Sequence, residues 1–346
     1  MNLSFSFIVP VFNRPDEIEE LLASLMVQTY DRPFEVVIVE DGSTISSRDR
    51  AQAFKDQANS LITISYYEKP NSGPGNSRNF GMKKAKGNYF IILDSDCIVP
   101  KGYLETVNES LRSEFVHCYG GPDAAHESFT LVQKAINYAM TSVLTTGGIR
   151  GNKKAVGKFQ PRSFNMGISK EAFEATNGFG LIHPGEDPDL TFRIWAQGYD
   201  SKLIQDAFVY HKRRIDWKKF YNQVTKFGKV RPILNKWHPH TAKITYWFPS
   251  LFLMGLFFAV LLIFVNIKLP FYLYVVYYAL IFIDSLIKNR NLAIALLSLF
   301  AVSTQFLGYG LGFLKSSILV NFNKSRAEVL FPELFFKPNN VADTKD

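Results

Sequence analysis

The chain has 346 residues, with 39 Lys or Arg against 31 Asp or Glu and a net charge of +8. That length admits one large domain with an appendage, or two ordinary domains. Two cysteines, Cys97 and Cys118, exclude a disulfide framework and a cysteine zinc site, and they fit a reducing compartment.

The N-terminus has no basic segment followed by a cleavable apolar run, so the charged part of the chain is expected in the cytoplasm. Residues 6–12 read as a first strand. A helix is predicted from Pro15 and Asp16, with acids in its first turn and Ile18, Leu21, Leu22 and Leu25 at helical spacing. Residues 34–39 form a second strand, followed by the turn Asp41-Gly42-Ser43. A third strand covers 62–67, a helix 77–86, and a fourth strand 89–93, ending at Asp94. Alternating strands and helices predict a mostly parallel α/β sheet with helices on both faces. Ligands then sit beyond the carboxyl ends of the strands. Further on, helices are expected over 128–144 and 187–197, the second ended by Gly198, with a Gly- and Lys-rich loop over 145–158.

From 211 the chain turns basic and aromatic. Residues 211–243 carry ten Lys or Arg and one acid, Asp216. Trp217, Phe220, Tyr221, Val224 and Phe227 share one helical face, the profile of a helix lying in a membrane interface. Residues 244–267 and 291–314 contain no charged residue, and 269–287 is apolar apart from Asp284. Each run is about the ~20 residues needed to cross a bilayer as a helix. A basic block beside such a run marks the cytoplasmic side and attracts anionic lipid, which argues against nucleic acid as its partner. Three crossings would leave the tail outside, yet Lys315, Lys324 and Arg326 make that tail basic. One segment is therefore a candidate for an interfacial or re-entrant helix. Asp284 is expected to meet Lys288 one turn on, or to reach water.

Four features bear chemistry, each with a plainer alternative. Asp94-Ser95-Asp96 closes a strong apolar strand. Alternate carboxylates there suit a hard cation such as Mg²⁺ or Mn²⁺ bridging to phosphate, although Asp also favours turns. Glu40-Asp41-Gly42-Ser43 follows the second strand, where an acid can meet a base or ribose, or merely shape a turn and cap. Residues 71–79 bring glycines, a helix start and Arg78, a fork for phosphate or base. His183-Pro184-Gly185-Glu186-Asp187-Pro188-Asp189 opens a helix with Arg193. A carboxylate there can take a proton from a hydroxyl, or Asp187 can simply cap the helix with Pro188 at its first position.

Together and in this order, these residues resemble the family 2 glycosyltransferases of the GT-A fold. The matching pieces are Ile8 to Asn13, Glu40 to Ser43, Gly75 to Asn79, Asp94 to Asp96, and Asn177-Gly178-Phe179 followed by Glu186, Asp187 and Arg193. The resemblance implies a GT-A catalytic domain over about 1–210. It is followed by basic amphipathic interface helices at 211–243, about three transmembrane helices at 244–315 and a tail at 316–346. It implies a nucleotide-sugar site drawn from Pro10, Phe12, Asn13, Asp41, Arg78, Asn79, Asp94 and Ser95. Asp96 and Asp94 would hold Mg²⁺ or Mn²⁺, with His211 a further ligand. Asp187 would be the general base, with Glu186 beside it. The expected reaction is inverting transfer from a nucleotide diphosphate-sugar, a UDP-sugar first, to a membrane-associated or lipid-linked acceptor. The chain would then be a multi-pass protein of the inner (cell) membrane with its catalytic domain cytoplasmic. A Gln-x-x-Arg-Trp motif is missing (Gln223 is followed by Val224, Thr225, Lys226 and Phe227), which weakens the alternative of a processive polysaccharide synthase. Intact Asp94, Asp96, Glu186 and Asp187 weigh against an inactive membrane scaffold.

Overall fold

In the computed structural model the described residues are 2–124, 129–147, 159–211 and 216–336, the side chain of His211 excepted. The expected loop over 145–158 falls mostly outside them. They form two compact units. One contains the described residues of 1–126, 157–212 and 335–346, the other those of 127–156 and 213–334.

The strands are β1 (Phe5–Val11), β2 (Phe34–Asp41), β3 (Ile62–Lys69), β4 (Tyr89–Leu93), β5 (Cys97–Ile98), β6 (Cys118–Gly120), β7 (Asp123–Ala124), β8 (Asn165–Ser169), β9 (Ser201–Leu203) and β10 (Val209–His211), all in the first unit. Helices α1 (Pro15–Met26), α2 (Arg48–Gln57), α3 (Pro74–Lys84) and α4 (Tyr103–Ser113) belong to it as well. Helices α5 (Leu131–Thr141) and α6 (Val143–Thr146) belong to the second unit, and α7 (Lys170–Thr176) and α8 (Glu186–Ala196) to the first. The second unit also holds α9 (Trp217–Trp237), α10 (Phe248–Phe264), α11 (Leu269–Asn289), α12 (Leu292–Phe322) and α13 (Ala327–Leu330).

Seven strands make the main sheet in the order β3-β2-β1-β4-β8-β6-β9. The four strands expected from the sequence are its parallel half. Alternation along β1 explains the layering. Phe5, Phe7, Val9 and Val11 face one core with Ile18, Leu21, Leu22 and Leu25 of α1 and Leu104, Val107 and Leu111 of α4. Ile8 faces the other, with Val37, Val39, Phe90 and Ile92 against Met82, Phe173, Leu190 and Ile194. Each such side chain, fully buried, contributes about 1.5–3 kcal/mol. Because β1, β2 and β4 are parallel, Phe12, Asp41 and Asp94 come to one edge of the sheet. A small sheet, β5-β10-β7, sets the His211 backbone opposite Cys97, next after Asp96.

Strand β8 runs antiparallel between β4 and β6. Its Gly167 pairs with Tyr119, whose ring lies where a side chain would go: a Cβ at 167 would stand 1.9 Å from the ring. Buried Asn165 accepts from the Tyr103 hydroxyl (2.6 Å) and donates to the Ala207 carbonyl (2.8 Å). Both amide ends are satisfied, as a fully buried polar group requires.

In the second unit the expected helix over 128–144 is broken at Ser142, whose backbone is extended and whose Oγ accepts from the Leu144 amide. The shared apolar face of α9 is present, but it is largely covered by protein. Phe220 and Val224 are buried in a core with Phe306, Ala301 and Val302 of α12 and Ile136 of α5, while Tyr221 stays 37% exposed. Asp284 meets Lys288 (2.8 Å), as expected, and also accepts from the Tyr138 hydroxyl (2.7 Å) and Ser142 Oγ (3.1 Å).

Replacing Gly167 with Ala should overpack this layer. The expected cost is about 1–3 kcal/mol, seen as a lower apparent Tm of the detergent-purified protein. An unchanged Tm would contradict the close fit of Tyr119.

Candidate active site

Strand β2 delivers Asp41 to the sheet edge, almost fully buried. Its Oδ1 accepts from the Ser72 amide (2.9 Å) and pairs with Lys69, and its Oδ2 accepts from the Gly73 amide (3.0 Å). The Asp41 carboxylate thus gathers the loop that enters α3. Gly42 allows this fold-back: its φ is +68°, and a Cβ there would lie 2.6 Å from the Asn71 nitrogen. Glu40, buried beside it, accepts from Ser43 Oγ, the Ser47 amide (2.8 Å) and Tyr66 Oη (3.0 Å).

The end of β1 supplies a different surface. Phe12 is 49% exposed and Pro10 partly so, leaving an open aromatic ring at the sheet edge. Asn13 turns away from it. Its Oδ1 accepts from the Thr44 and Ile45 amides (2.8 and 3.0 Å), and its backbone N–H donates to Ser43 Oγ (2.8 Å). Asn79 likewise spends both ends of its amide on the Phe179 backbone (2.9 and 2.8 Å). Ser95 is buried.

Arg78 joins the parts. Its guanidinium, buried in the first turns of α3, meets Asp94 (2.8 Å) at the end of β4 and Glu186 (3.3 Å) at the start of α8, with the Phe179 ring 5.3 Å away. Burial opposes its charge, but Asp94, Glu186 and Asp187 outweigh that and hold it firmly cationic. Removing one partner of such a buried set typically costs about 3–5 kcal/mol. Two residues on, Asp96 pairs with Arg14.

Helix α8 begins differently from the plain capping reading. Gly185, at φ 118°, is the N-cap, so Glu186 and Asp187 lie inside the first turn, where the helix dipole favours carboxylates. Their environments push them apart. Burial raises both. For Glu186, the His183 ring (2.9 Å) and Arg78 overcome it and hold the carboxyl down at about 2. For Asp187, burial and the Glu186 charge prevail over Arg78 and Arg162, and its carboxyl titrates above the usual range. Asp187 Oδ2 accepts from the Ser163 amide (3.1 Å), while Oδ1 has no hydrogen-bond partner among the described residues.

Whether a cation fits is a matter of donor chemistry. Among the described residues no three His, Cys, Asp or Glu side chains gather as a metal cluster. Asp94 and Asp96 offer oxygens two residues apart on one turn, which suits a hard ion that takes one or two protein carboxylates and completes its shell with phosphate and water. The residues fit Mg²⁺ or Mn²⁺ on those terms. The His211 side chain lies outside the described residues. Sequence reasoning missed Arg14, Lys69 and His183 as partners of the key acids. Each sits beside a motif already noted, but only the fold shows which acid it faces.

Residues 6–176 match the family model described as Glycosyl transferase family 2. The chain is 31% identical over 114 residues to glycosyltransferase GlyG of Streptococcus pneumoniae, covering 33% of this chain and 37% of that protein. It is 36% identical over 104 residues to poly(ribitol-phosphate) beta-N-acetylglucosaminyltransferase TarS of Staphylococcus aureus, covering 30% of this chain and 18% of the relative. These matches span little more than a third of such relatives at most. Among solved structures, mannosyltransferase PcManGT of Pyrobaculum calidifontis, in complex with GDP-Man and Mn²⁺, superposes with a TM-score of 0.59 at 16% identity, covering 89% of this chain and 88% of that one. That likeness gives the GT-A fold. Sheet order, the acids at its edge and the family match make residues 6–176 a domain of the glycosyl transferase family 2.

Proposed function

We propose that this chain transfers a sugar from a nucleotide diphosphate donor to a hydroxyl of a membrane-associated acceptor, with inversion at the anomeric carbon. The observation that carries this reading is the single guanidinium of Arg78 touching both Asp94 and Glu186. It gathers the end of β4, suited to diphosphate and cation, and the start of α8, suited to a base.

The exposed Phe12 ring offers a stacking face for a nucleobase, and the loop held by Asp41 frames it. Asn13 and Asn79 serve by bracing the turns on either side. Asp96, with Asp94 beside it, would hold Mg²⁺ or Mn²⁺, which when bound neutralises charge on the diphosphate. Asp187 Oδ1 accepts the proton of the acceptor hydroxyl. The acceptor oxygen then attacks the anomeric carbon, the bond to the diphosphate oxygen breaks, and the nucleoside diphosphate leaves. An α-linked donor thereby yields a β-linked product. The glycosyltransferase names of the relatives, and the GDP-Man and Mn²⁺ bound by the structural neighbour PcManGT, support the class of donor and cation. Among the described residues, three helices long and apolar enough to cross a membrane support an acceptor that lives at one.

Asp187→Ala should lower transfer by about 10²–10⁴-fold, the usual worth of a general base, and still bind donor nucleotide. Asp96→Ala should abolish transfer and also lose the Mn²⁺-dependent thermal stabilisation by nucleoside diphosphates. Full activity in either purified variant overturns the assignment.

The raised carboxyl of Asp187 sets a pH dependence. A base works only when ionised, so transfer falls as pH drops through that raised value. Glu186→Gln removes a negative neighbour and lowers the Asp187 carboxyl. The acid limb of the kcat/KM profile should therefore move to lower pH. A limb that stays put, or moves up, speaks against Asp187 as the base.

A further inference from the structure

The three apolar helices invite a count of crossings, and the two ends of the segment constrain it. Phe335 forms an antiparallel bridge with Ile182, and the Phe336 amide donates to the Leu181 carbonyl (3.0 Å). The Phe336 ring fills the space beside Gly73, where a Cβ would stand 2.4 Å from it. Residues 335–336 are thus part of the sheet unit. A folded domain lies on one side of a bilayer, so the number of crossings between 211 and 335 is even.

The packing tells which helix does not cross. Helix α9 runs parallel to α12 along most of its length. Trp217 meets Phe300 (ring centroids 4.6 Å), Gly308 and Gly312 lie against Val224 and the Thr225 carbonyl, Ser316 Oγ donates to the Lys229 carbonyl (2.6 Å), and Lys236 Nζ donates to the Val320 carbonyl (2.9 Å). Six cations, Lys218, Lys219, Lys226, Lys229, Arg231 and Lys236, ride on α9. If α12 traversed the hydrocarbon, α9 would carry them through it. The legs α10 and α11 pack together, with Tyr274 Oη donating to the Phe252 carbonyl (3.0 Å). Helix α12 packs on the half of this pair where the chain enters α10 and leaves α11, reaching as far as Phe252 (Phe306, 4.8 Å) and Tyr278 (Ser303, 2.9 Å). It touches the first turns of α10 (Trp247 to Phe313, 4.9 Å; Ser250 Oγ to the Gly310 carbonyl, 2.9 Å) and the last turns of α11 (Ser285 to Ser298, 2.8 Å). Protein buries 39% of the most apolar stretch of α12, against 17% for that of Ile244–Phe264 and 11% for that of α11.

We infer that α10 and α11 cross the bilayer as a hairpin and that α12 lies in the plane of the leaflet on the side of the sheet unit. Its exposed stripe (Leu296, Phe300, Leu307, Leu311, Ile318, Phe322) then rests in acyl chains. Leu311 of the stripe lines a groove with Met254, Phe257 and Phe258 of α10, and the exposed Lys218 and Lys219 of α9 match anionic head groups. At ~1.5 Å per residue the 31 residues of α12 are longer than the ~30 Å hydrocarbon core, a length that suits lying flat.

Single-cysteine additions test this, because both native cysteines are buried. Lys55→Cys, Asn266→Cys and Asn323→Cys are labelled in sealed inverted vesicles with a membrane-impermeant maleimide. Positions 55 and 323 should label from the same side, and 266, at the hairpin tip, only from the other. Labelling of 323 from the side of 266, or of all three from one side, overturns the inference. A second measurement reads depth. Leu296, Leu307 and Ile318 are spaced by eleven residues on one face. Fluorophores on cysteines there should be quenched alike by lipids brominated at a given acyl depth. A graded pattern, as ~16 Å steps along a crossing helix would give, or no quenching by any lipid, overturns it too.

Discussion

A buried guanidinium organises the catalytic unit. Arg78 lies buried with Asp94 on one side and Glu186 on the other, and their charges offset what burial costs its guanidinium. Glu186 could not be held there alone: an isolated buried carboxylate would take up a proton. The pairing therefore does two things at once. It locks the end of β4 against the start of α8, and it keeps Glu186 anionic so that its neighbour Asp187 is pushed the other way. The difference between two adjacent carboxyls, one held low and one raised, follows from which of them reaches Arg78 and His183.

Much of this was legible in the amino-acid order. The parallel strands β1, β2 and β4 are apolar runs, with β2 and β4 leading into Asp41 and Asp94, and alternation along them sets both faces of the sheet. What was hidden depends on partners far away in the chain. Asn13 and Asn79 look like ligand-binding amides in a motif, but their hydrogen bonds go to backbone 31 and 100 residues on. Helix α3 begins at Pro74, before the expected Ser77, because Gly73 at φ 90° turns the chain into it early. Strand β8, with Gly167 at its centre, gives little strand signal of its own. It is held by its pairing with β4 and β6, and Gly167 leaves the space that the Tyr119 ring fills.

The helical unit was legible in composition and hidden in arrangement. Hydropathy responds to how apolar a stretch is, not to what covers it. The face of α9 that suggests contact with lipid packs largely on another helix, while α12, about as apolar as α11, shows a stripe rather than a whole circumference. Small residues at 308 and 312 let the two backbones approach, and hydroxyls such as Ser316 settle between them.

Cys97 follows Asp96 directly, and Cys118 sits in β6; both are sealed from solvent. Burial pushes both thiols up, and for Cys97 the charges of Asp94 and Asp96 push further. Neither sulfur is a thiolate at neutral pH, and a thiol in that form is a poor nucleophile toward peroxide or disulfide. Thiol oxidation therefore has little purchase on the sheet or on the turn of acids beside it.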